Sequence, residues 1–360
     1  METDKMVERV STSELFEFCL AALKREGMNE DDACWCAQSL VQTDGTGVFS
    51  HGTKNLYNYI KKKRVGGVSF TARPEVVKEG EVFAVIDGHN AMGMVSSCKA
   101  VEMACEKANQ YGVAFVCVRN SCHFGAAGFY SNLIAGKGMI GITMSNVDPF
   151  MNIPGARGRI IGNNPISFSA PITDERPLNL DIACSTVASL KVAQAKNEHK
   201  SIPNTWIVDD DGKPTTDLGC YPDSYALQPM GSHKGYGLAV MVDLMTSVIA
   251  SGDFSSSGKI HSWCLEFESS NNVCHSFLVI DPTKFMQGEK IESRVKDMVV
   301  TLRKKPKAVG SPRIYTPGEI GWDQYKDAEA NGIALPSDVF ATLRELADDI
   351  GIKFPVTTKG

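Results

Sequence analysis

The stretch VAFVCVRNSCHFGAAGFY, residues 113–130, indicates most directly what kind of fold this chain adopts. Its first six residues are largely of the β-branched and aromatic types that favour a strand, and a helix is predicted over residues 126–135. Small residues between them let a ligand approach the backbone, and α/β proteins bind ligands at loops that leave the carboxyl ends of strands. The stretch therefore predicts a ligand-binding loop that carries His123. Helix–strand packing around a histidine with satisfied hydrogen bonds is the alternative.

Short β-rich runs alternate with helical runs on both sides of this stretch, which predicts a mixed α/β fold with helices packed on a sheet. Further strands are predicted at residues 82–86, 139–144, 178–182 and 276–280, with helices over 95–111 and from Ser185. The Ser-rich segment 253–272 is expected to be a surface loop.

Helical patterns dominate the two ends of the chain. One helix is predicted after Ser11, which stands at capping-box spacing from Glu14, a second over about 30–43, and a third after His51. Three more are predicted near the other end, over 289–303, 322–331 and 337–349. The basic run at residues 61–64 ends the third helix, where solvated positive charges would complement the helix dipole.

Composition excludes several classes of protein. The 360 residues carry a net charge of −5, which argues against a nucleic-acid partner. The eleven scattered cysteines favour free thiols and therefore a cytoplasmic protein. No zinc spacing, no apolar run long enough for a membrane span and no secretory core is present, so we expect no metal and no membrane.

No G-x-G-x-x-G fingerprint follows a strand, so a Rossmann fold is not predicted. Two other motifs could supply acid–base chemistry. A histidine at a tight turn such as Ser50-His51-Gly52 can titrate near neutral pH, although a simple helix cap explains the motif equally well. In Asp181–Thr186, the carboxylate could orient an imidazole and a following helix could bind phosphate, or Ser185 could be an ordinary cap.

Two further glycine-framed motifs could bind anions. Arg157 and Arg159 could hold a carboxylate in a fork, or belong to a surface turn. Lys234 stands at the start of a helix, against its dipole, which is easier to understand if an anion binds there. The motif Pro317-Gly318-Glu319, taken alone, predicts only a turn.

Taken together and in this order, SHG, RNSCHFGAAGFY, PGARG with GNNP, LDIACS, GSHKGYGLA and TPGE resemble the malate/L-lactate dehydrogenase family of the non-Rossmann type. This family includes ureidoglycolate, sulfolactate and diketogulonate dehydrogenases and piperideine-2-carboxylate reductases. The resemblance covers about residues 10–352. It implies an unusual NAD- or NADP-binding fold, a homodimer and a small carboxylic-acid substrate. The implied division is a helical, dimerising lobe of residues 1–78 and 312–360 and a cofactor and substrate lobe of residues 79–311.

The resemblance also implies roles for residues. His51 would carry the proton to and from the substrate oxygen, with Ser50 and Asp181 as its relay and His123 as a rival. The substrate is expected to meet Asn55, Tyr59 and Arg157. The expected cofactor contacts are Asp181, Ile182, Ala183, Cys184, Ser185, Thr186, Val187, Lys234, Gly235, Gly318, Glu319 and Ile320.

One departure bears on the substrate. The family usually has arginine four residues after the SHG histidine, where this chain has Asn55, and an amide cannot replace a charged guanidinium fork. The expected reaction is therefore hydride transfer between NAD(P) and a small, malate- or lactate-like 2-hydroxy or 2-keto acid, whose exact identity Asn55 leaves open. A cyclic imino-acid reductase and a catalytically silent nucleotide-binding protein are the two alternatives.

Overall fold

The computed structural model describes residues 8–359. Ten helices and twelve strands are found in this range. The helices are α1 Thr12–Arg25, α2 Glu30–Gly45, α3 Leu56–Arg64, α4 Gly93–Tyr111, α5 Ala127–Gly136, α6 Ser189–Asn197, α7 His233–Asp243, α8 Ile291–Arg303, α9 Glu319–Asn331 and α10 Ser337–Ile350. The strands are β1 Glu8–Val10, β2 Glu75–Glu79, β3 Phe83–Asp87, β4 Val113–Ser121, β5 Ile140–Ser145, β6 Ile166–Ala170, β7 Leu178–Ile182, β8 Ile207–Val208, β9 Pro214–Thr215, β10 Ala226–Leu227, β11 Val273–Ile280 and β12 Thr357–Lys359.

A seven-stranded sheet in the order β2-β3-β4-β11-β5-β6-β7 forms the centre of the molecule. Only β3 and β4 run parallel; every other neighbouring pair in this sheet is antiparallel. A Rossmann sheet is mostly parallel with helical crossovers, so this topology confirms the predicted mixed, non-Rossmann α/β fold.

Helices cover both faces of the sheet. In β4, Val116 belongs to the core formed with α4 and α5, whereas the adjacent Phe115 packs with Met144 and Val242 of α7. Successive side chains of a strand point to opposite faces, so α4 and α5 lie on one face and α7 on the other. Loops that leave this sheet, such as the one that carries His123, therefore start from strands packed against helices on both faces.

Helices near the two ends of the chain share one buried core. Residues of α1, such as Leu15 and Phe18, are buried together with Phe340 and Leu343 of α10. The predicted cap of α1 is also present, because the backbone N–H of Glu14 donates to Ser11 Oγ at 3.1 Å. The strand β2 pairs with β3 in the main sheet and spans the lobe boundary that we expected after residue 78.

The prediction that a helix begins at Ser185 was wrong. The helix α6 begins at Ser189, because the segment before it pairs with another segment of the chain. Met230 N–H donates to Cys184 O at 2.8 Å, Thr186 N–H donates to Gln228 O at 2.9 Å, and Ser185 forms a bridge with Pro229. The backbone of Cys184–Thr186 is therefore not available as a helix N-terminus for phosphate.

Two predictions about surface charge and loops also need correction. Lys62, expected to be solvated with the rest of its basic run, is completely buried. The segment 253–272 is not a simple surface loop, since Ser255, Ser262 and Asn271 are buried and Trp263 packs against the helical core. Both differences arise from contacts between distant parts of the chain, which local composition does not report.

Candidate active site

Two histidines from distant parts of the sequence lie side by side. His51 follows α2 in a turn closed by its own N–H, which donates to Val48 O at 3.0 Å. His123 follows β4, and the two ring centroids are 5.6 Å apart with an interplanar angle of 30°. The SHG turn and the HFG loop, separated by some seventy residues of sequence, therefore form one site.

His123 is held on two sides. The Tyr59 hydroxyl and His123 Nδ1 are 2.6 Å apart, and the indole of Trp263 stacks on the imidazole at 4.4 Å with an interplanar angle of 14°. The side chain is 8% exposed, and its burial, together with the neighbouring His51 and His275, holds the pKa of His123 well below its ordinary value. The ring is neutral at pH 7, and Nε2 makes no hydrogen bond to a described residue.

His51 is anchored through its other nitrogen. Ser50 Oγ lies 2.8 Å from His51 Nδ1, and burial lowers the pKa of His51 as well. Asn55 Nδ2 donates to Ser50 O at 2.9 Å, which fixes the turn. Nε2 of His51 makes no hydrogen bond within residues 8–359, so each imidazole keeps one nitrogen for another molecule.

A carboxylate that the sequence did not single out lies beneath the SHG turn. Asp44, in the last turn of α2, is 1% exposed and accepts from Thr53 N–H at 3.0 Å and Thr53 Oγ1 at 2.5 Å. Its Oδ1 is buried with no partner among the described residues. Burial raises the pKa of Asp44 to about 7, although the Thr53 hydrogen bonds oppose the shift. The spacing of nine residues gives no periodic signal that could have identified this pair.

A β-carbon on Gly52 would lie 1.7 Å from Asp44 Oδ1. Only glycine allows this close approach, so the third residue of the SHG motif is required by the buried carboxylate rather than by backbone conformation. The turn that carries His51 is thereby seated directly on α2.

Asp181 is not part of a direct hydrogen-bonded relay to His51. Its Oδ2 accepts from Gly128 N–H at 2.8 Å, and no hydrogen bond joins it to a described histidine. The Asp181 carboxylate faces a cavity, and other parts of the chain enclose that cavity. This enclosure raises the pKa of Asp181 to about 6.

The cavity beside Asp181 has a volume of about 300 Å³. The end of α2, the start of α5, β7 and the start of α9 form its walls. Gly318 and Ile320, two of the residues expected to contact the cofactor, line this cavity, and a β-carbon on Gly318 would lie 2.7 Å from Asn179 O. Glu319 is used differently, because its carboxylate accepts from Thr316 N–H at 2.8 Å and pairs with Arg313.

The other expected cofactor segments lie together. A β-carbon on Gly235 would be 2.4 Å from Cys184 O, so the start of α7 packs directly on the segment that follows β7. Ile182 ends β7, Ala183 follows it, and Val187 is buried in the adjoining core. Lys234 is exposed in the first turn of α7, and its ammonium makes no hydrogen bond or ion pair with the described residues. An unpaired cation at a helix start fits an anionic group of a bound cofactor.

The three expected substrate residues are placed differently. Tyr59 is buried at His123, whereas Asn55 is buried against Ser50 and presents no charge. Arg157 has a side chain that is 75% exposed and lies 3.4 Å from Asp211, away from the contacts of the histidine pair.

Arg157 and Arg159 do not form one anion-binding fork. Arg159 donates to Tyr225 O at 2.8 Å and lies over the Tyr225 ring, which makes it a structural residue. In the described part of the chain, no group of three or more histidine, cysteine or acidic side chains could hold a metal ion. None of the described helices has the length and apolar character needed to cross a membrane.

Comparisons with known proteins extend the sequence resemblance. A malate dehydrogenase from Pyrococcus horikoshii is 34% identical over 357 residues, covering 97% of this chain and 98% of that protein. A solved structure of a malate dehydrogenase from Pyrococcus horikoshii is 32% identical and superposes with a TM-score of 0.88 over 98% of both chains. An L-sulfolactate dehydrogenase from Methanocaldococcus jannaschii is 32% identical and covers 92% of this chain and 94% of its own length.

The fold and the site thus define an oxidoreductase that acts on CH–OH donors with NAD or NADP, on hydroxy or keto acids. The sequence profile described as malate/L-lactate dehydrogenase matches residues 10–344. This chain belongs to that family.

Proposed function

We propose that this enzyme transfers a hydride between NAD(P) and a small 2-hydroxy or 2-keto carboxylic acid, with a proton carried by the histidine pair. The observation that carries the proposal is the pair itself. Two imidazoles with lowered pKa values lie 5.6 Å apart, each anchored through Nδ1 and each with Nε2 free of described partners. Alcohol oxidation releases a proton and ketone reduction requires one, so a neutral base beside the substrate oxygen suits both directions.

Within the pair, we assign proton transfer to His51 and positioning of the substrate oxygen to His123. His123 is more enclosed, and an indole face and two other imidazoles surround it, so a positive charge there is costly. His51 is only partly buried and has the Ser50 hydroxyl at Nδ1, which can pass a proton onward. Asp181, on the cavity wall, supports the site without a direct bond to His51.

The cofactor proposal is supported by an unpaired cation and a cavity. Lys234 at the start of α7 would hold an anionic group of the dinucleotide, the segment Ala183–Val187 on which α7 packs would border it, and Gly318 and Ile320 border the cavity beside Asp181. When bound, the nicotinamide supplies or accepts the hydride. The residues of this chain contribute orientation, exclusion of water and the proton.

The substrate class follows from family membership, and Asn55 narrows it. Because the amide is buried against Ser50 O and carries no charge, it provides no guanidinium fork for a second carboxylate. We therefore propose a small 2-keto acid without a second carboxylate, so that oxaloacetate should be a poor substrate. Whether NAD or NADP is preferred is part of the same experiment.

The experiment is a panel of 2-keto acids and one cyclic imino acid, each assayed with NADH and with NADPH by absorbance at the nicotinamide band. We expect turnover of a 2-keto acid that falls at least about 100-fold in His51→Ala. Preferred turnover of the imino acid would replace the proposed substrate class. Cofactor binding with no turnover of any compound would identify a catalytically silent protein and refute the proposal.

We also propose that the enzyme is a cytoplasmic homodimer. All eleven cysteines are free, and an exposed apolar stripe runs along α7 and the π turn after it, through Leu238, Met241, Leu244 and Val248. Light scattering after gel filtration should give a dimer that dissociates in Met241→Glu but not in Leu302→Glu, a matched change on exposed α8. A monomeric wild-type protein would contradict this assignment.

A further inference from the structure

Lys62 is the exception in its basic run. Its neighbours Lys61, Lys63 and Arg64 all pair with carboxylates, at 3.7, 3.1 and 2.5 Å respectively. Lys62 is 0% exposed, and no carboxylate lies within ion-pair distance of it in the described structure. Burial lowers the pKa of Lys62. Burying a lysine side chain costs free energy, through desolvation of the ammonium and loss of side-chain entropy. A contact that offsets this cost is therefore expected for Lys62.

That contact is with the backbone of a distant segment. Lys62 Nζ donates to Glu266 O at 2.9 Å and to Ser269 O. The same segment is pressed against the end of α3 from a second side, since a β-carbon on Gly67 would lie 1.9 Å from Phe267 O. Two independent contacts therefore join α3 to residues 266–269.

The tethered residues belong to a closed turn that includes Trp263. Ser262 N–H donates to a Glu266 carboxylate oxygen at 2.7 Å, and Glu266 N–H donates to Ser262 O at 3.1 Å. Because these bonds close the turn, the position of Glu266 determines the position of Trp263. A tether at Glu266 O is thus transmitted to the indole three residues earlier.

Trp263 reaches the histidine site. Its indole stacks on His123 at 4.4 Å and lies 5.0 Å from the Tyr59 ring. Tyr59 and Lys62 are three residues apart on α3, so they lie on the same face of that helix. One face of α3 thereby supplies both the hydroxyl at His123 Nδ1 and the ammonium that holds the indole-bearing turn.

We propose that Lys62 is a positioning residue that fastens the turn 262–269 to α3 and so keeps Trp263 stacked on His123. The stacked indole covers one side of the ring, excludes water from it and limits the space beside the substrate oxygen. The kinetic consequences rest on the function proposed above, whereas the position of Trp263 does not.

The first test measures the position of Trp263 without any assay of activity. Lys62→Met keeps most of the side-chain volume and removes the donors; Lys61→Met makes the same change on the exposed side of α3. Acrylamide quenching of Trp263 is obtained as the difference between each protein and its Trp263→Phe counterpart. We expect quenching to rise at least about twofold in Lys62→Met and to stay unchanged in Lys61→Met, because only Lys62 donates to the turn.

The second test asks whether Lys62 acts through Trp263. A displacement of about 1 Å at a reacting group can reduce rate about 100-fold, so Lys62→Met should lower kcat/KM by about 10- to 100-fold. Trp263→Ala should cause a similar loss, and the double variant should lose no more than the worse single variant. The pH profile should also shift, since water would reach His123.

Unchanged quenching of Trp263 in Lys62→Met, or additive losses in the double variant, would overturn the proposal. If Lys62→Met does not fold, Gly67→Ala decides the question, because its β-carbon would push Phe267 O and displace the same turn. Raised Trp263 quenching in that variant supports the proposal, and unchanged quenching refutes it. A wild-type enzyme without turnover would refute the proposed function while the quenching result still stands.

Discussion

The carboxylate beneath the SHG turn leads to a sharp prediction about stability and pH. In Asp44→Asn the amide keeps the shape of the side chain and an oxygen that accepts from Thr53 N–H, but it cannot ionise. The folded-state pKa of Asp44 is raised from its ordinary 3.8 to about 7 by burial. The folded protein therefore holds a proton that the unfolded chain releases between these two values.

The sign follows from that difference. Because the pKa of this carboxyl is higher in the folded state, its effect on the free energy of unfolding is most favourable below pH 3.8. The free energy of unfolding then falls as the pH rises towards about 7. Linkage gives a wild-type cost of about 2 kcal/mol at about pH 5 and about 4 kcal/mol at about pH 8, as an order of magnitude.

Urea unfolding followed by circular dichroism at the two pH values measures the effect. The free energy of unfolding of Asp44→Asn relative to wild type should rise by about 2 to 3 kcal/mol from about pH 5 to about pH 8. Asp348→Asn, an exposed change without described side-chain partners, provides the control and should show no such difference. A pH-independent difference for Asp44→Asn would show that the carboxyl titrates normally, and the account of its burial would be wrong.

Three further predictions concern the turn, the histidines and the cofactor. Gly52→Ala should cost about 1–3 kcal/mol of stability by overpacking and should reduce turnover, whereas Gly136→Ala, where a β-carbon meets nothing within 4 Å, should leave thermal unfolding and kinetics nearly unchanged. In the oxidation direction, kcat/KM should persist below pH 6.5, because burial lowers the pKa values of His51 and His123 and the neutral base survives; an acidic limb at or above pH 6.5 would contradict this. Lys234→Ala should raise the cofactor Kd about tenfold in a fluorescence titration, with circular dichroism unchanged; an unaltered Kd would remove Lys234 from the cofactor site.

Local patterns in the sequence predicted the elements whose causes are local. The cap at Ser11 and the strand over residues 178–182 were found where expected, because hydroxyl capping and β-rich runs act over a few residues. The motif order predicted the family and singled out His51 and His123, whose rings lie 5.6 Å apart in the structure. These parts of the fold and site were accessible without coordinates.

The remaining parts depend on long-range packing. Lys62 was assigned to solvent because its neighbours are charged, yet the carbonyls that bind it lie some two hundred residues away. Trp263 lies in a polar segment whose composition predicts a surface loop, so no local pattern indicated its contact with His123. Asp44 has no motif around it, and only the folded structure shows its hydrogen bonds with Thr53 and its close approach to Gly52. Such residues are recognised only when the distant partner is known.

The described ends of the chain lie next to each other. The strands β1 and β12 pair antiparallel, and Val10 and Ile333 exchange backbone hydrogen bonds at 3.1 and 2.7 Å. Joining the ends with a short linker and opening the chain at the exposed Val309–Gly310 turn would leave every strand pairing and every helix intact. In the natural order, α10 is synthesised more than three hundred residues after α1, so α1 must wait for it before their shared core can close.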